Sequence, residues 1–190
     1  MALGANAGPT RAADLRRLDA ASAMLRASLG RGLRVSRPWA SPAWPPGIGP
    51  GFVNAVATIP ARRPTAAVLT RLHRIEARLG RVRAARWGVR AVDLDLLGQG
   101  GLVRPDPWTL ARWRRLDPAR QRVEAPRRLI LPHPRLADRG FVLLPLRAHA
   151  PRWRPPLSPP VSALVRALPL AARRGVRPLG PRLVKPFRRA

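Results

Sequence analysis

The chain has 190 residues, 46% of them hydrophobic, so it is long enough to bury a core and predicts one domain. It contains no cysteine, which excludes disulfides and thiolate chemistry. No apolar run approaches the ~18 residues of a membrane span, and the first residues lack a signal-peptide pattern. We therefore expect a soluble, cytoplasmic monomer without a membrane partner.

The formal net charge of +28 is typical of proteins that bind nucleic acid. However, Lys185 is the single lysine among 37 basic residues, and arginine, alanine and proline are all abundant. This composition is better explained by compositional drift of the coding sequence than by selection for contacts with phosphates. Because a field this positive still attracts polyanions, we expect nucleic acid only as a nonspecific partner, if it binds at all.

The predicted elements begin with a short strand at residues 1–3. A helix follows, whose residues at helical spacing are Leu15, Leu18, Ser22, Leu25 and Leu29. Gly30 is expected to end this helix. Strands are predicted at residues 33–39 and 52–59, on either side of a loop at 41–51 that is rich in proline and glycine.

A second helix is predicted between Thr65, as its cap, and Gly80, with Val68, Leu72 and Ile75 in its apolar stripe. A loop at 81–88 leads from this helix into a last strand. The resulting order, βαββαβ, predicts an α+β, ferredoxin-like core. In such a core, an antiparallel sheet has its helices packed on one face.

The most informative segment of the chain is 86–97, which ends in this last strand. Asp93 and Asp95 flank Leu94 there, and residues two apart on a strand point to the same face. Two carboxylates on one face can bind Mg²⁺, which prefers oxygen ligands and usually accompanies substrate phosphates. The alternative is a pair of solvent-facing aspartates. The arginines that precede them would then be structural partners rather than phosphate contacts: Arg81, Arg83, Arg86 and Arg90.

The chain after this strand is less regular. Residues 98–131 form an insertion rich in glycine, proline, arginine and tryptophan, with one short helix expected near 108–116. His133 lies between two prolines in a stiff, extended backbone, where the alternative is an ordinary surface histidine. We expect a domain over 1–158 that contains the insertion. Residues 159–190 are expected to form a basic C-terminal helix (161–168) and a partly disordered tail.

Several segments, in this order along the chain, resemble the 6-hydroxymethyl-7,8-dihydropterin pyrophosphokinase family of folate biosynthesis. They are Leu-Gly-Ala-Asn (3–6), Ser-Pro (41–42), Phe-Val-Asn-Ala-Val (52–56), Arg-Ile-Glu (74–76), Leu-Gly-Arg-Val-Arg (79–83), Arg-Trp-Gly-Val-Arg-Ala-Val-Asp-Leu-Asp-Leu-Leu (86–97), Leu-Pro-His-Pro-Arg (131–135) and Arg-Gly-Phe-Val-Leu-Leu-Pro-Leu (139–146). The segment 86–97 is the most specific of these, and the ferredoxin-like fold of the family agrees with the predicted order of elements.

The resemblance implies that pyrophosphate is transferred from ATP to the pterin alcohol by in-line attack on the β-phosphorus, with AMP leaving. Two Mg²⁺ ions would be held by Asp93 and Asp95. The residues implied to contact the triphosphate are Arg81, Arg83 and Arg90. The other residues implied for the nucleotide site are Glu76, Arg86, Trp87, Arg128, His133 and Arg139.

For the pterin, the resemblance implies two kinds of contact. Asn54 would bond to the polar edge of the ring, together with backbone groups near Ser41 and Pro42. Phe52 and Phe141 would sandwich its faces, because a pterin is flat and rich in π-electrons. From the residues alone, a phenylalanine such as Phe141 is more often part of the core than a platform for stacking.

The chain also departs from the family. Its first strand is truncated, so that either the true start lies upstream or the enzyme is less stable than its relatives. Ala5 replaces a common serine, and Val89 replaces a proline. Two other functions therefore remain alternatives: a catalytically inactive relative that still binds nucleotide, and a basic nucleic-acid-binding protein.

Overall fold

The computed structural model describes residues 1–30, 32–43, 49–80 and 91–180. Within these residues, one antiparallel sheet contains β1 (Ala2–Ala5), β2 (Arg34–Val35), β3 (Trp39–Ser41), β4 (Phe52–Thr58), β5 (Asp93–Asp95) and β6 (Arg177–Pro178). The strand order is β5-β1-β4-β3-β6, and β2 also pairs with β4. This is the ferredoxin-like order for a βαββαβ chain, so the α+β fold predicted from the sequence is confirmed.

The helices of the described chain are α1 (Arg11–Leu29), α2 (Thr65–Arg78), α3 (Pro107–Arg114), α4 (Pro118–Val123), α5 (Gly140–His149), α6 (Val161–Ala167) and α7 (Leu170–Arg173). Thr10 caps α1 by accepting a hydrogen bond from the Ala13 amide, and Gly30 ends the helix at a φ of 107°. Thr65 is the first residue of α2 rather than its cap, because Pro64 precedes the helix and no side chain caps it. No helix in the described part of the chain is long and apolar enough to cross a membrane.

Helices cover both faces of the sheet. Helices α1 and α2 pack on the face that carries Leu3, Val53 and Leu94. On the other face, α5 packs over β4 and is itself covered by α6, around Val56 and Leu143. The sequence pattern predicted helices on one face only, because α5 follows the βαββαβ core and was not predicted.

A β-bulge interrupts the strand that was predicted at 33–39. Val35 pairs with Ala57 and Trp39 with Asn54, so three residues of one strand (36–38) lie opposite two of the other (55–56). Ser36 fills the bulge, since its amide donates to the Val56 carbonyl at 2.9 Å and its hydroxyl accepts from the Val56 amide at 3.1 Å. One extra residue reverses the side-chain alternation, so Trp39 lies on the opposite face from Val35.

Segments near both ends of the described part of the chain also join the sheet. β1 is short, as expected, but pairs with both β4 and β5, and the Met1 carbonyl accepts from the Ala57 amide. The Met1 amine donates to the Ala57 carbonyl at 2.8 Å, and burial lowers the pKa of this amine to about 5. At the other end, β6 pairs with the outer edge of β3.

Candidate active site

The register of the sheet brings the predicted metal strand and the predicted pterin strand onto one face. Gly4 pairs with Asp93 on one side and with Asn54 on the other. Directly paired residues of an antiparallel sheet direct their side chains to the same face. Asp93 and Asn54 therefore share this face with the residues two positions along their strands, Asp95 and Phe52.

Asp93 and Asp95 form a pair of partly exposed carboxylates on β5. Leu94 between them is 5% exposed and packs on the α1–α2 side, while the Asp95 side chain is 36% exposed. Such a pair fits Mg²⁺, which completes its coordination with water and substrate phosphates. No group of three or more potential metal ligands occurs within the described residues.

Arg139 connects the carboxylate pair to an aromatic ring. Its Nη1 donates to Oδ2 of Asp95 at 3.2 Å, and its guanidinium carbon lies 5.9 Å from the centroid of the Phe141 ring. This distance is within the range of a cation–π contact. One residue from each predicted set (metal, nucleotide and pterin) thus belongs to a single chain of contacts.

His133 also lies near the Asp95 carboxylate, and it is a neutral hydrogen-bond donor. Its Nε2 is 3.9 Å from Oδ2 of Asp95, and its Nδ1 accepts a hydrogen bond from the Arg135 amide at 3.1 Å. Because Nδ1 is an acceptor, the neutral ring carries its proton on Nε2. Burial, reinforced by the positive charge of Arg139, lowers the pKa of His133 to about 4. At pH 7 the ring therefore directs an N–H group towards the carboxylate.

The residues predicted for the pterin edge are joined by hydrogen bonds. Asn54 is 5% exposed, and its Nδ2 donates to the Ser41 hydroxyl at 3.0 Å. The Ser41 hydroxyl donates in turn to the Pro42 carbonyl at 3.1 Å. These bonds fix the Asn54 amide relative to the loop that follows β3.

The predicted aromatic residues lie beside this group. Phe52 is partly exposed, and a Cβ at position 4 would lie 3.8 Å from its Cδ1 and 3.6 Å from Oδ1 of Asn54. Because Gly4 has no side chain, no Cβ lies between Asn54 and Asp93 on this face of the sheet. Phe141 is partly buried in the first turn of α5 and packs against the apolar cluster under that helix. It therefore lies at the boundary between this core and the candidate site.

Two further predicted nucleotide residues, Glu76 and Arg128, lie among the described residues. Glu76 belongs to α2, on the opposite face of the sheet, and is 3% exposed. Its Oε1 accepts a hydrogen bond from the Leu94 amide at 2.8 Å, so it holds the outer edge of β5 between the two aspartates. Arg128 is exposed in the loop after α4.

The arginine-rich loop is outside the described residues. It contains five predicted site residues: Arg81, Arg83, Arg86, Trp87 and Arg90. Their contacts with the triphosphate stay predictions.

Sequence reasoning missed two residues near the site. Trp39 shares a row of the sheet with Asn54, and its buried indole N–H has no hydrogen-bond partner among the described residues. Both terminal nitrogens of Arg135 are likewise buried without a hydrogen bond, and burial lowers the pKa of this guanidinium. Trp39 could have been found from its alternation with Ser41, but the bulge breaks its alternation with Val35. For Arg135, the available signal was its proximity to His133 in the sequence.

With this geometry in place, similarity to known proteins decides the family. The 7,8-dihydro-6-hydroxymethylpterin-pyrophosphokinase (HPPK) family matches residues 1–151, which include every residue of the candidate site. The chain belongs to the HPPK family. Residues 152–190 lie beyond the HPPK match.

Bacterial relatives carry the name 2-amino-4-hydroxy-6-hydroxymethyldihydropteridine pyrophosphokinase. The Synechocystis sp. protein is 34% identical over 109 residues, which are 57% of this chain and 46% of the relative. The Methylorubrum extorquens protein is 33% identical over 123 residues, 63% of this chain and 65% of the relative. The Pseudomonas aeruginosa protein is 32% identical over 169 residues, 89% of this chain and 90% of the relative. The match thus spans about half to two thirds of the first two relatives and nearly all of the third.

Proposed function

We propose that this protein transfers the pyrophosphoryl group of ATP to 6-hydroxymethyl-7,8-dihydropterin, yielding AMP and the pterin diphosphate, as a step of folate biosynthesis. The observation that carries the proposal is the row Asp93, Gly4 and Asn54 across three neighbouring strands. Directly paired residues lie roughly 5 Å apart, so a phosphate bound over Asp93 and a pterin bound over Asn54 would lie within one substrate length. Membership of the HPPK family supports the same reaction.

The pterin would lie over Asn54 and Phe52. An amide side chain offers one acceptor and two donors, which match the alternating polar groups of the pterin edge. The amide is already oriented by the Ser41 hydroxyl, so little side-chain entropy is lost when the pterin binds. Phe141, on the first turn of α5, would cover the second face of the ring.

The nucleotide would lie over Asp93 and Asp95, with Arg139 and His133 beside its phosphates. Two Mg²⁺ ions held by these carboxylates would neutralise phosphate charge and orient the β-phosphorus. Arg139, now bonded to Asp95, offers a guanidinium that can pair with phosphate oxygens. The neutral His133 adds an N–H donor without a further charge. The other proposed nucleotide residues are Arg81, Arg83, Arg86, Trp87, Arg90 and Arg128. Glu76 would contribute indirectly, by holding β5 through the Leu94 amide.

The reaction exchanges one phosphorus–oxygen bond for another. The pterin hydroxymethyl oxygen forms a bond to the β-phosphorus, and the bond from that phosphorus to the bridging oxygen of AMP breaks. The hydroxyl proton is released, and we assign no side chain as its acceptor. Phosphoryl transfer depends mainly on positioning and on charge stabilisation, which the residues of this face are suited to provide.

The first experiment measures AMP release from Mg-ATP with and without 6-hydroxymethyl-7,8-dihydropterin, and repeats both with excess chelator. AMP formation that requires both pterin and metal is the expected result. A folded sample that binds Mg-ATP but releases no AMP would contradict the proposal and favour an inactive relative.

Salt dependence separates this proposal from nucleic-acid binding as the main function. Binding to nucleic acid falls steeply with salt because condensed counterions are released, and it needs no divalent metal. The +28 charge makes some nonspecific binding expected in either case. ATP binding that tolerates moderate salt but is lost with chelator would support the proposal. Tight RNA or DNA binding that falls steeply with salt, in a protein without transferase activity, would favour the second function.

A further inference from the structure

The last part of the described chain forms an additional layer beside the candidate site. We call residues 168–179 the C-terminal wall; it contains α7 and β6 and lies outside the HPPK match, which ends at residue 151. Its first residue, Leu168, is 4% exposed and packs with Val161 and Val165 of α6 against α5. The wall is therefore attached to the core at its start.

The junction between α6 and α7 is closed by one arginine. Nη2 of Arg173 donates to the Arg166 carbonyl at 2.6 Å and to the Leu168 carbonyl at 2.7 Å. Both carbonyls lie at the C-terminal end of α6, where no amide of a further helical turn can donate to them. A hydrogen bond from a cationic donor is among the stronger kinds, so this contact fixes where α7 begins.

At its other end, the wall is part of the sheet. Arg177 pairs with Ala40 and Pro178 with Trp39, and the Leu179 amide donates to the Pro38 carbonyl at 2.8 Å. β6 thereby covers the edge of β3, the strand that carries Ser41.

Between these ends, the wall contacts two segments that carry predicted pterin residues, and a glycine lies at each contact. Gly175 has a φ of 73°, and a Cβ there would lie 2.9 Å from Cγ of Pro42. Gly140 begins α5, next to Phe141, and a Cβ there would lie 1.9 Å from the Ala172 carbonyl oxygen. At both points the two segments lie so close together that a Cβ on the glycine would collide with the opposite segment.

We propose that the C-terminal wall is a positioning element for the pterin, which holds the Ser41–Pro42 loop and the first turn of α5 at a fixed separation. This inference rests on the proposed function. The wall contacts β3, Pro42 and α5, whereas the described contacts of Asp95 and His133 are made by Arg139 and Arg135, outside the wall. A small displacement of Pro42 by the wall therefore weakens pterin binding and leaves nucleotide binding unchanged.

The test is Gly175→Asn in the full chain. Asparagine tolerates positive φ better than other side chains, yet its Cβ still meets the Pro42 ring. The matched control is Gly100→Asn, since Gly100 also has positive φ, 52°, but nothing within 4 Å of a Cβ. Two dissociation constants are measured by titration: that of α,β-methylene-ATP with Mg²⁺, and that of the pterin in the presence of this analogue.

We expect Gly175→Asn to raise the pterin dissociation constant by about fivefold to tenfold, since a small misplacement is costly at a reacting centre. The nucleotide constant stays within about twofold, and Gly100→Asn changes neither constant beyond this range. In a Pro42→Ala background, which removes the ring but keeps its carbonyl, Gly175→Asn has little further effect.

Three outcomes overturn the inference alone, and the first two are unchanged pterin binding in folded Gly175→Asn and an equal loss with and without the Pro42 ring. Equal weakening of pterin and nucleotide also overturns it, because general destabilisation then explains the change. Absence of pterin binding by the unaltered protein overturns the proposed function as well, so the two failures are distinguishable.

Discussion

Asp93 and Asn54 lie in the same row of the sheet, one on each side of Gly4. Because the residue between them lacks a side chain, no side-chain atom at position 4 would separate a phosphate bound over β5 from a ring bound over β4. A sheet face is rigid, so the relative position of two substrates bound there is set before binding. This arrangement favours transfer between two ligands over binding of either one alone.

The carboxylate pair is tested by Asp95→Ala. Turnover is expected to fall at least about a hundredfold, because charge stabilisation at the phosphates is lost. Stability should change little, since the bond from Arg139 ends on a carboxylate that is 36% exposed. Asp138→Ala, which removes another arginine-paired carboxylate, is the control. Turnover of Asp95→Ala within about tenfold of the unaltered protein, or ~1.4 kcal/mol of barrier, would show that the metal assignment is wrong.

The aromatic ring on α5 is tested by Phe141→Ala. If the ring covers the pterin, the dissociation constant of the pterin should rise far more than that of Mg-ATP, because stacking area is lost only for the pterin. Leu144→Ala is the control, since Leu144 is also partly buried on α5 in the same apolar cluster. Equal losses for both ligands would identify Phe141 as a packing residue.

The position of β5 is expected to depend on Glu76. In Glu76→Ala, the buried Leu94 amide loses its acceptor, which should lower the free energy of unfolding by about 1–3 kcal/mol. Glu76→Gln keeps an acceptor oxygen and should lose less, and its turnover should be closer to that of the unaltered protein. Denaturant unfolding measures the stabilities, with Glu124→Ala, which breaks an exposed ion pair to Arg120, as the control. Identical stability of the alanine and glutamine variants would contradict this role.

The cap of α3 makes the insertion sensitive to acid. Oδ1 of Asp106 accepts from the Thr109 amide at 2.8 Å, and this bond lowers the pKa of the Asp106 carboxyl below its usual 3.8. A carboxyl whose pKa is lower in the folded state stabilises the fold above its unfolded pKa, and this stabilisation disappears as pH falls through the folded pKa. Hydrogen exchange at the Leu110 and Ala111 amides should therefore be faster in Asp106→Ala than in the unaltered protein at pH 6.

This difference should shrink at acidic pH, once the carboxyl of the unaltered protein is protonated. Protection factors corrected for the intrinsic pH dependence of exchange provide the comparison. Asp19→Ala, at an exposed position of α1, is the control and should leave α3 unchanged. An Asp106→Ala variant with the protection of the unaltered protein at pH 6 would rule out the cap as a source of stability.

The local pattern of the sequence determined the elements of the core and much of the proposed site. Helical spacing in Leu18 and Leu25, and the alternation of Asp93, Leu94 and Asp95, depend on periods of 3.6 and 2 that hold within one element. The ferredoxin-like order followed from the succession of these elements. Similarity of short segments then indicated the HPPK family, and Asp95, Arg139 and Phe141 of those segments lie together in the structure.

Only the tertiary structure decided which faces and which distant segments meet. The extra residue at Ser36 reverses the alternation and brings Trp39 to the face of Asn54, although no local pattern marks a bulge. Glu76 is paired with the Leu94 amide, and Gly175 with Pro42, by contacts between segments far apart in the chain. Such contacts depend on how whole elements pack against one another. The patterns within short segments of the sequence therefore predict the helices and strands, but the packing of the whole fold determines how they combine into a site.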